Sequence, residues 1–197
     1  MKKNNHTPKG KSCLVEPIRN EKDIESIKKL LSNNKRDLLL FCLSINNGLR
    51  ANDILHLNVA DLELVKQDET ITIKERKTGK SNILCINRSV YKILRQYLEE
   101  RKPEPHEYLF KSKKGNNRPL SVSTFGSMVK YWCKSINLAG NYSSHSLRKT
   151  WAYQQRVRYG TGIEILMDRF HHSSYSITRR YIGLESKEVC AALLNPI

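Results

Sequence analysis

The chain has 197 residues, a length that suits one sizeable domain or one domain with a small appendage. Its residues are 39% hydrophobic, which is enough to form a buried core and excludes a wholly disordered chain. Lys and Arg number 35 against 19 Asp and Glu, giving a formal net charge of +16 that favours a polyanionic partner, because neutralising phosphates releases counterions.

A membrane surface is the competing anionic partner, and the sequence argues against it. No apolar run reaches the length of a membrane span, and no amphipathic pattern pairs a Lys-rich face with exposed Trp or Phe. The basic N-terminal stretch lacks the apolar segment of a signal peptide. The five cysteines are scattered without a CxxC spacing, as in a reduced protein. We therefore expect a cytoplasmic protein without a membrane partner.

Three helices are predicted after a flexible basic tail at residues 1–14. The first begins after Asn20, whose side chain suits an N-cap. The second is the nearly all-apolar run RDLLLFCLSI, which ends at NNG, where Gly48 suits a left-handed C-terminal cap. The third covers ANDILHL.

The hydrophobic period changes between Asp61 and Asn87, where the runs LELV, TITIKE and NILCIN are rich in residues typical of strands. The second and third runs are joined by RKTGKS, whose Gly79 marks a hairpin turn. Helical patterning returns at VYKILRQYL, and the basic stretch KSKKGNNRPLSVS is predicted to be a loop.

Four further helices complete the prediction, from Ser123 to Ser135 and over HSLRKTWAYQQRV, IEILMDRF and YSITRRYI. The expected fold is mainly α with a small antiparallel three-stranded sheet, an α+β arrangement. It forms one domain at residues 15–183, followed by a tail at 184–197 that is partly apolar.

The stretch SSHSLRKT places His145 and Arg148 three residues apart, so that they share one face of a helix. Ser143 and Ser144 precede them and can cap that helix, whose exposed N–H groups favour a phosphate. By itself the HxxR spacing is common, and a solvated helical face is the simpler interpretation.

Arg50 follows the glycine turn in NNGLRANDILHL and opens a helix that is otherwise apolar on one side. A guanidinium held on a turn can direct two donors at phosphate oxygens. The alternative is a salt bridge to Asp53, three residues later, which by itself would be preferred.

Two further motifs carry candidate side chains. The stretch KERKTGKS places Lys77 and Lys80 at a hairpin tip, where they either protect a strand edge from aggregation or deliver an ammonium group to DNA. In RFHHSSYSITRRYIG, His172 and Tyr181 lie nine residues apart, and each alone is compatible with ordinary packing.

The order of these motifs resembles the catalytic domain of the tyrosine recombinases, the phage integrase family. GLR with an acid three residues later, a hairpin KTG, HxLR, and a histidine followed nine residues later by a tyrosine fall in register over about Pro17 to Pro196. The resemblance implies no metal, no cofactor and six catalytic residues: Arg50, Lys77, His145, Arg148, His172 and Tyr181. Lys80 is the alternative hairpin lysine, and Tyr175, at the wrong distance from His172, is expected to pack.

The implied function is that of a site-specific DNA recombinase or integrase, which cleaves and rejoins strands through a covalent 3′-phosphotyrosine. The implied partners are double-stranded DNA and further copies of the chain, expected to form a tetramer on DNA, with no membrane involved. The protein would then be nucleoid-associated. The DNA contacts expected outside the catalytic set are basic: Lys80, Lys111, Lys113, Lys114, Arg118 and Lys149.

The chain departs from the family's pattern in two places. The family usually has LGH where this chain has Phe170-His171-His172. A non-glycine residue in a left-handed cap costs about 1 kcal/mol, so the turn is expected to differ locally. Most members also carry an N-terminal helical domain, whereas only a short basic segment precedes the catalytic domain here. The chain is therefore similar to the single-domain fimbrial-switch inverting recombinases, or is a fragment.

Three alternatives stay open. The tail at 184–197 either caps its own core or, as in the family, docks on a neighbouring protomer. A type IB topoisomerase shares the cleavage step and relaxes supercoils without exchanging partners. A catalytically silent DNA-binding relative is disfavoured because decay usually removes one of the six catalytic positions.

Overall fold

The computed structural model describes residues 14–183 and Leu194, so most of the two predicted tails lies outside the described residues. The described part is mainly α-helical, as predicted. Its elements are α1 Glu21–Leu30, α2 Lys35–Asn47, α3 Ala51–Leu55, β1 Glu69–Lys74, β2 Ser81–Ile86, α4 Arg88–Arg101, α5 Val122–Ser135, α6 Ser144–Tyr159, α7 Ile163–Phe170 and α8 Tyr175–Ile182. Within residues 14–183, no helix is long and apolar enough to cross a membrane.

Polar side chains set where the helices begin. Asn20 accepts a hydrogen bond from the backbone N–H of Lys22 at 2.9 Å, as the sequence predicted for the start of α1. Asn87 does the same for Val90 at 3.1 Å at the start of α4. Each cap satisfies a backbone donor that has no partner inside the helix, which typically contributes about 1 kcal/mol.

Helix α2 forms the centre of the core and packs against both α4 and α6. Its residues from Leu38 to Ser44 are all buried, and Phe41 meets Trp132 of α5 edge-on at 6.0 Å between ring centroids. Burying each large apolar side chain stabilises the fold by about 2 kcal/mol. The turn after α2, which carries Arg50, is therefore attached to a deeply buried helix.

The sheet has two strands within the described residues, and the prediction of three is wrong. β1 and β2 pair antiparallel, from Glu69 opposite Ile86 to Lys74 opposite Ser81. The run LELV instead follows a 3₁₀ turn at Val59–Asp61. The guanidinium of Arg95 donates to the backbone carbonyls of this run, at 3.2 Å to Leu62, 2.5 Å to Glu63 and 2.7 Å to Val65. Those carbonyls are the acceptors that a third strand would have needed.

The glycine that ends α2 lies against the indole of Trp151. Gly48 adopts a left-handed conformation (φ 59°), as the sequence predicted, and a Cβ on it would lie 2.4 Å from a carbon of that ring. Gly160 ends α6 in the same conformation (φ 66°), with nothing within 4 Å of the corresponding position. The two glycines therefore share a backbone requirement and differ in the space around them.

We predict that Gly160→Ala lowers the free energy of unfolding by about 1 kcal/mol, because only the left-handed conformation opposes it. Gly48→Ala should lower it by about 2–4 kcal/mol, because overlap with the indole adds to the same strain. Urea unfolding of the two variants beside the wild type measures the difference. Equal losses in the two variants would contradict the close packing of Trp151 on Gly48.

Candidate active site

The two predicted arginines meet at the end of α2. Arg148, in the first turns of α6, is 4% exposed and donates from Nη1 to the carbonyl oxygen of Gly48 at 2.8 Å. Its guanidinium also lies over the ring of Phe170, 4.5 Å from the centroid. Arg50 is the residue that precedes α3, two positions after Gly48. The turn after α2 thus carries Arg50 in its own sequence and binds the side chain of Arg148 through the carbonyl of Gly48.

Tyr181 of α8 lies between the two predicted histidines. Its ring centroid is 5.0 Å from that of His145 and 5.1 Å from that of His172, with both pairs edge-on. Phe170 contacts the same ring at 5.0 Å. The hydroxyl oxygen is buried, and among residues 14–183 no group forms a well-aligned hydrogen bond with it. The tyrosine nine residues after His172 is therefore positioned by aromatic packing, while its hydroxyl is buried without a hydrogen-bond partner among these residues.

Burial raises the pKa of Tyr181 to about 12, and the positive charge of Arg148, followed by that of Arg50, acts in the opposite direction. The phenol is therefore protonated in the free protein at neutral pH. Both arginines nevertheless lie close enough to act on its hydroxyl.

The pKa of His145 is lowered to about 4, first by burial and then by the charges of Arg148, Lys149 and Arg50. The residue nevertheless remains exposed to solvent. At pH 7 its imidazole is neutral and carries a free acceptor nitrogen. A neutral base beside a buried phenol is the arrangement needed to take up the phenol's proton.

The segment FHH keeps a left-handed cap although it lacks the family's glycine. His171 ends α7 in a left-handed conformation (φ 55°, ψ 41°), at the position where the family usually has glycine. His172 follows, and its Nδ1 is 2.9 Å from the hydroxyl of Thr178. Burial, followed by the charges of Arg148 and Arg50, lowers the pKa of His172, which favours its neutral form.

Lys77 is the predicted catalytic residue that the structure does not bring to the others. It is exposed in the turn between β1 and β2, as is Lys80. Among the described residues, no hydrogen bond or ion pair joins its ammonium group to the other five. The structure therefore gathers Arg50, His145, Arg148, His172 and Tyr181, and leaves the lysine at the tip of the hairpin.

Lys149 does not fit its predicted contact with DNA. It is 3% exposed, its ammonium group donates to the carbonyl of Val15 at 2.8 Å, and it lies 5.4 Å from the centroid of the Tyr181 ring. It follows Arg148 on α6, so the turn of the helix directs it into the interior, where it fixes the chain before α1 against the site. The pKa of Lys149 is lowered by this burial.

The basic loop differs along its length. Lys111 is half-buried and pairs with Glu107, so its charge is partly neutralised. Lys113, Lys114 and Arg118 are exposed, and the backbone of Ser112 and Arg118 closes the loop with a 2.7 Å hydrogen bond. The three exposed side chains remain available to an anionic partner.

Glu75 is a site residue that sequence reasoning missed. It is 1% exposed, and its carboxylate pairs with Arg50. The alternative of an Arg50–Asp53 salt bridge is therefore wrong, since Asp53 accepts from the backbone N–H of Arg76 at 2.9 Å. The available signal was one acid inside a run of bases, KERKTGK, directly after a strand whose alternation directs that position inward.

Burial by itself raises the pKa of Glu75. Hydrogen bonds from Thr78, Asn82 and Arg50 outweigh this effect and lower the pKa to about 2. The carboxylate is therefore ionised at neutral pH.

Tyr175, expected to pack, is instead 54% exposed at the start of α8. Among residues 14–183, no three His, Cys, Asp or Glu side chains are grouped so that they could hold a metal ion.

Comparisons with known proteins agree with this geometry. A sequence model of the phage integrase family matches residues 19–188. The probable integrase/recombinase YoeC of Bacillus subtilis (strain 168) is 35% identical, over 91% of this chain and 95% of that protein. The tyrosine recombinase XerA of Pyrococcus horikoshii is 28% identical over 86% of this chain, which spans 58% of that protein.

Solved structures show the same fold. The crystal structure of XerA recombinase superposes with a TM-score of 0.75 at 21% identity, over 95% of this chain and 68% of that one. The XerH site-specific recombinase bound to its palindromic difH substrate gives a TM-score of 0.74 at 23% identity, over 93% of this chain and 53% of that one. The chain belongs to the phage integrase family, and it has the fold of a tyrosine recombinase catalytic domain.

Proposed function

We propose that this protein is a site-specific DNA recombinase that cleaves and rejoins strands through a covalent 3′-phosphotyrosine on Tyr181. The observation that carries the proposal is the position of the Tyr181 ring between His145 and His172, with its hydroxyl under the influence of Arg148 and Arg50. Family membership and the relatives' names support it.

In the cleavage step, the Tyr181 oxygen forms a bond to the scissile phosphorus and the bond to the 5′-oxygen breaks. The phenol's proton passes to His145, which is neutral at pH 7. The phosphorane-like transition state carries extra negative charge, and Arg50 and Arg148 offer fixed guanidinium donors to it. Only one donor of Arg148 is committed to Gly48, so the others remain for phosphate oxygens.

The leaving 5′-oxygen needs a proton, and Lys77 is the proposed donor. Its exposed position at the hairpin tip lets it approach a bound duplex without leaving a buried partner. Lys80, exposed in the same turn, is the second candidate. The hairpin is thus the element that DNA must bring to the site.

Rejoining reverses this chemistry. A 5′-hydroxyl gives its proton back to Lys77 and attacks the phosphotyrosine, the phosphorus–tyrosine bond breaks, and Tyr181 recovers its proton from His145. The covalent intermediate conserves the energy of the phosphodiester, so no nucleotide cofactor enters the cycle. Exchange between two duplexes takes four cleavages, which suits a tetramer on double-stranded DNA, acting at the nucleoid. Apart from Leu194, the tail at 184–197 lies outside the described residues, and its docking on a neighbouring protomer remains a prediction.

Two other functions share parts of this site. Strand relaxation by a type IB topoisomerase uses the same cleavage step, but the relatives are named as recombinases and integrases, which favours exchange of partners. A catalytically silent DNA-binding role is disfavoured because all six expected residues are present and five of them come together.

We predict that Tyr181→Phe abolishes the covalent protein–DNA adduct on a nicked duplex that traps cleavage, while duplex binding is retained. The substitution removes the attacking oxygen and keeps the ring that packs against the histidines. Denaturing gel electrophoresis measures the adduct, and fluorescence anisotropy measures binding. The matched control is Tyr175→Phe, the same change at an exposed position of α8, which should leave adduct formation unchanged. An adduct that survives in Tyr181→Phe would refute the assignment.

We predict that the imidazole of His145 titrates near pH 4 in the folded, DNA-free protein and near 6.5 in the urea-unfolded chain. Between these values the unfolded state binds more protons than the folded state. The contribution of His145 to stability is therefore complete above about pH 6.5 and is lost as the pH falls towards 4. NMR titration measures both midpoints. The variant His145→Gln should lose less stability than the wild type over this range, and a folded midpoint above 6 would contradict a neutral base.

We predict that DNA binding weakens steeply with salt and that the exposed loop residues contribute to this dependence. Each of Lys113→Ala, Lys114→Ala and Arg118→Ala should reduce the slope of log affinity against log salt by about 0.9 for each phosphate that the variant no longer neutralises. Anisotropy titrations across a salt series measure the slopes. Lys92→Ala, which removes the same charge from an exposed position of α4, should leave the slope unchanged. Loop variants with the wild-type slope would exclude the loop from the interface.

A further inference from the structure

Glu75 lies where three parts of the site meet. One carboxylate oxygen pairs with Arg50 and accepts from the Thr78 hydroxyl at 2.6 Å. The other accepts from the side-chain amide of Asn82 at 2.8 Å and lies 3.8 Å from Nε2 of His171. The same carboxylate therefore contacts the turn before α3, the tip of the hairpin, and the end of α7.

The contacts extend beyond the carboxylate. Asn82 accepts from Arg169 at 2.5 Å through its side-chain oxygen, and Arg169 also donates to the carbonyl of Asn47 at the end of α2. The backbone of Glu75 closes the hairpin turn, because its N–H donates to Lys80 at 2.9 Å and its carbonyl accepts from Gly79 at 2.8 Å. A displacement of Glu75 would thus move both Arg50 and the turn that carries Lys77.

The local charges explain why a carboxylate is needed here. The positive charges of Arg50 and Arg148 repel each other, and so do those of Arg148 and Arg169. The negative charge of Glu75 acts favourably on both Arg148 and Arg169. Arg50 has a side chain that is 24% exposed and no other carboxylate partner among the described residues. Without Glu75, repulsion from Arg148 would favour a guanidinium turned outward, away from the Tyr181 hydroxyl.

From this geometry we infer that Glu75 is a positioning residue, which holds the guanidinium of Arg50 at the scissile phosphate and links it to the hairpin tip through Thr78. The inference rests on the proposed function, in which Arg50 binds that phosphate. Glu75 does not itself touch the substrate, because its side chain is fully buried behind Arg50.

The test compares single-turnover cleavage by the wild type, Glu75→Gln, Arg50→Ala and the double variant. Misplacement of one guanidinium should slow cleavage by Glu75→Gln about 10- to 100-fold. The double variant should be no slower than Arg50→Ala, because a residue that acts through Arg50 has no effect without it. Additive losses would overturn the inference. The matched control is Asp37→Asn, which removes another buried, ion-paired carboxylate in α2 and should cleave at the wild-type rate.

A second substrate separates positioning from general loss of structure. A neutral methylphosphonate at the scissile position has less charge for Arg50 to bind, so the defect of Glu75→Gln should shrink on it, as should that of Arg50→Ala. A defect of equal size on both substrates would show that Glu75 supports the fold only. Glu75→Asp, which keeps the charge and shortens its reach, should give an intermediate rate on the natural phosphodiester, and it replaces Glu75→Gln if that variant does not fold.

A third readout does not depend on activity. The side-chain N–H signals of Arg50, identified by their loss in Arg50→Ala, should be protected from exchange in the wild type and in Asp37→Asn, and should be lost or shifted in Glu75→Gln. Unchanged signals in Glu75→Gln would overturn the inference even if cleavage slowed. If the wild type forms no adduct, the proposed function fails, while these signals still decide whether Glu75 holds Arg50.

Discussion

Guanidinium groups of like charge lie together in this protein because each is held by its own acceptor. Arg148 donates to the carbonyl of Gly48 and lies over Phe170, Arg169 donates to the carbonyl of Asn47, and Arg50 pairs with Glu75. Hydrogen bonds to charged groups contribute about 1.5–3 kcal/mol each, which offsets repulsion that would otherwise drive the side chains apart. Two of these acceptors are carbonyls at the C-terminal end of α2, where the helix dipole is negative and favours cations.

This arrangement explains why α2 is so deeply buried. A helix that is packed on several sides by α4 and α6 does not shift when charges gather at its end. Trp151 closes against Gly48, and the indole also contacts Phe170 edge-on at 5.7 Å. The apolar core and the charged site therefore depend on one another: the packing fixes the turn, and the turn fixes the guanidiniums.

In contrast to the charged arginines, the phenol of Tyr181 and the imidazole of His145 are uncharged in the free protein at neutral pH. Burial keeps Tyr181 protonated, and burial together with nearby positive charges keeps His145 neutral, so the proposed nucleophile is assembled but not activated in the free protein. The groups proposed to meet a duplex first, at the hairpin tip and in the basic loop, are exposed and carry their own charges. In the proposed mechanism, buried parts of the site are thus prearranged and exposed parts are ordered by DNA, which limits attack on the wrong phosphate.

Most of the fold and of the candidate site followed from local patterns in the sequence. The periodicity of the helices, the Asn20 and Gly48 caps, and the spacing from His172 to Tyr181 each depend on interactions among neighbours along the chain. The order of GLR, KTG, HxLR and the final tyrosine indicates the family, because the fold needs those side chains at fixed points on successive elements.

Other features were decided only when distant segments came together. LELV has the composition of a strand, but Arg95, some thirty positions later, binds its carbonyls and prevents pairing. Arg50 forms its ion pair with Glu75 rather than with the nearby Asp53. The ammonium group of Lys149 donates to the carbonyl of Val15, 134 positions away. Local sequence determines which groups can bond. Only the folded chain determines which competing partner is close enough and sufficiently shielded from water to do so, because the strength of a charged contact depends on both.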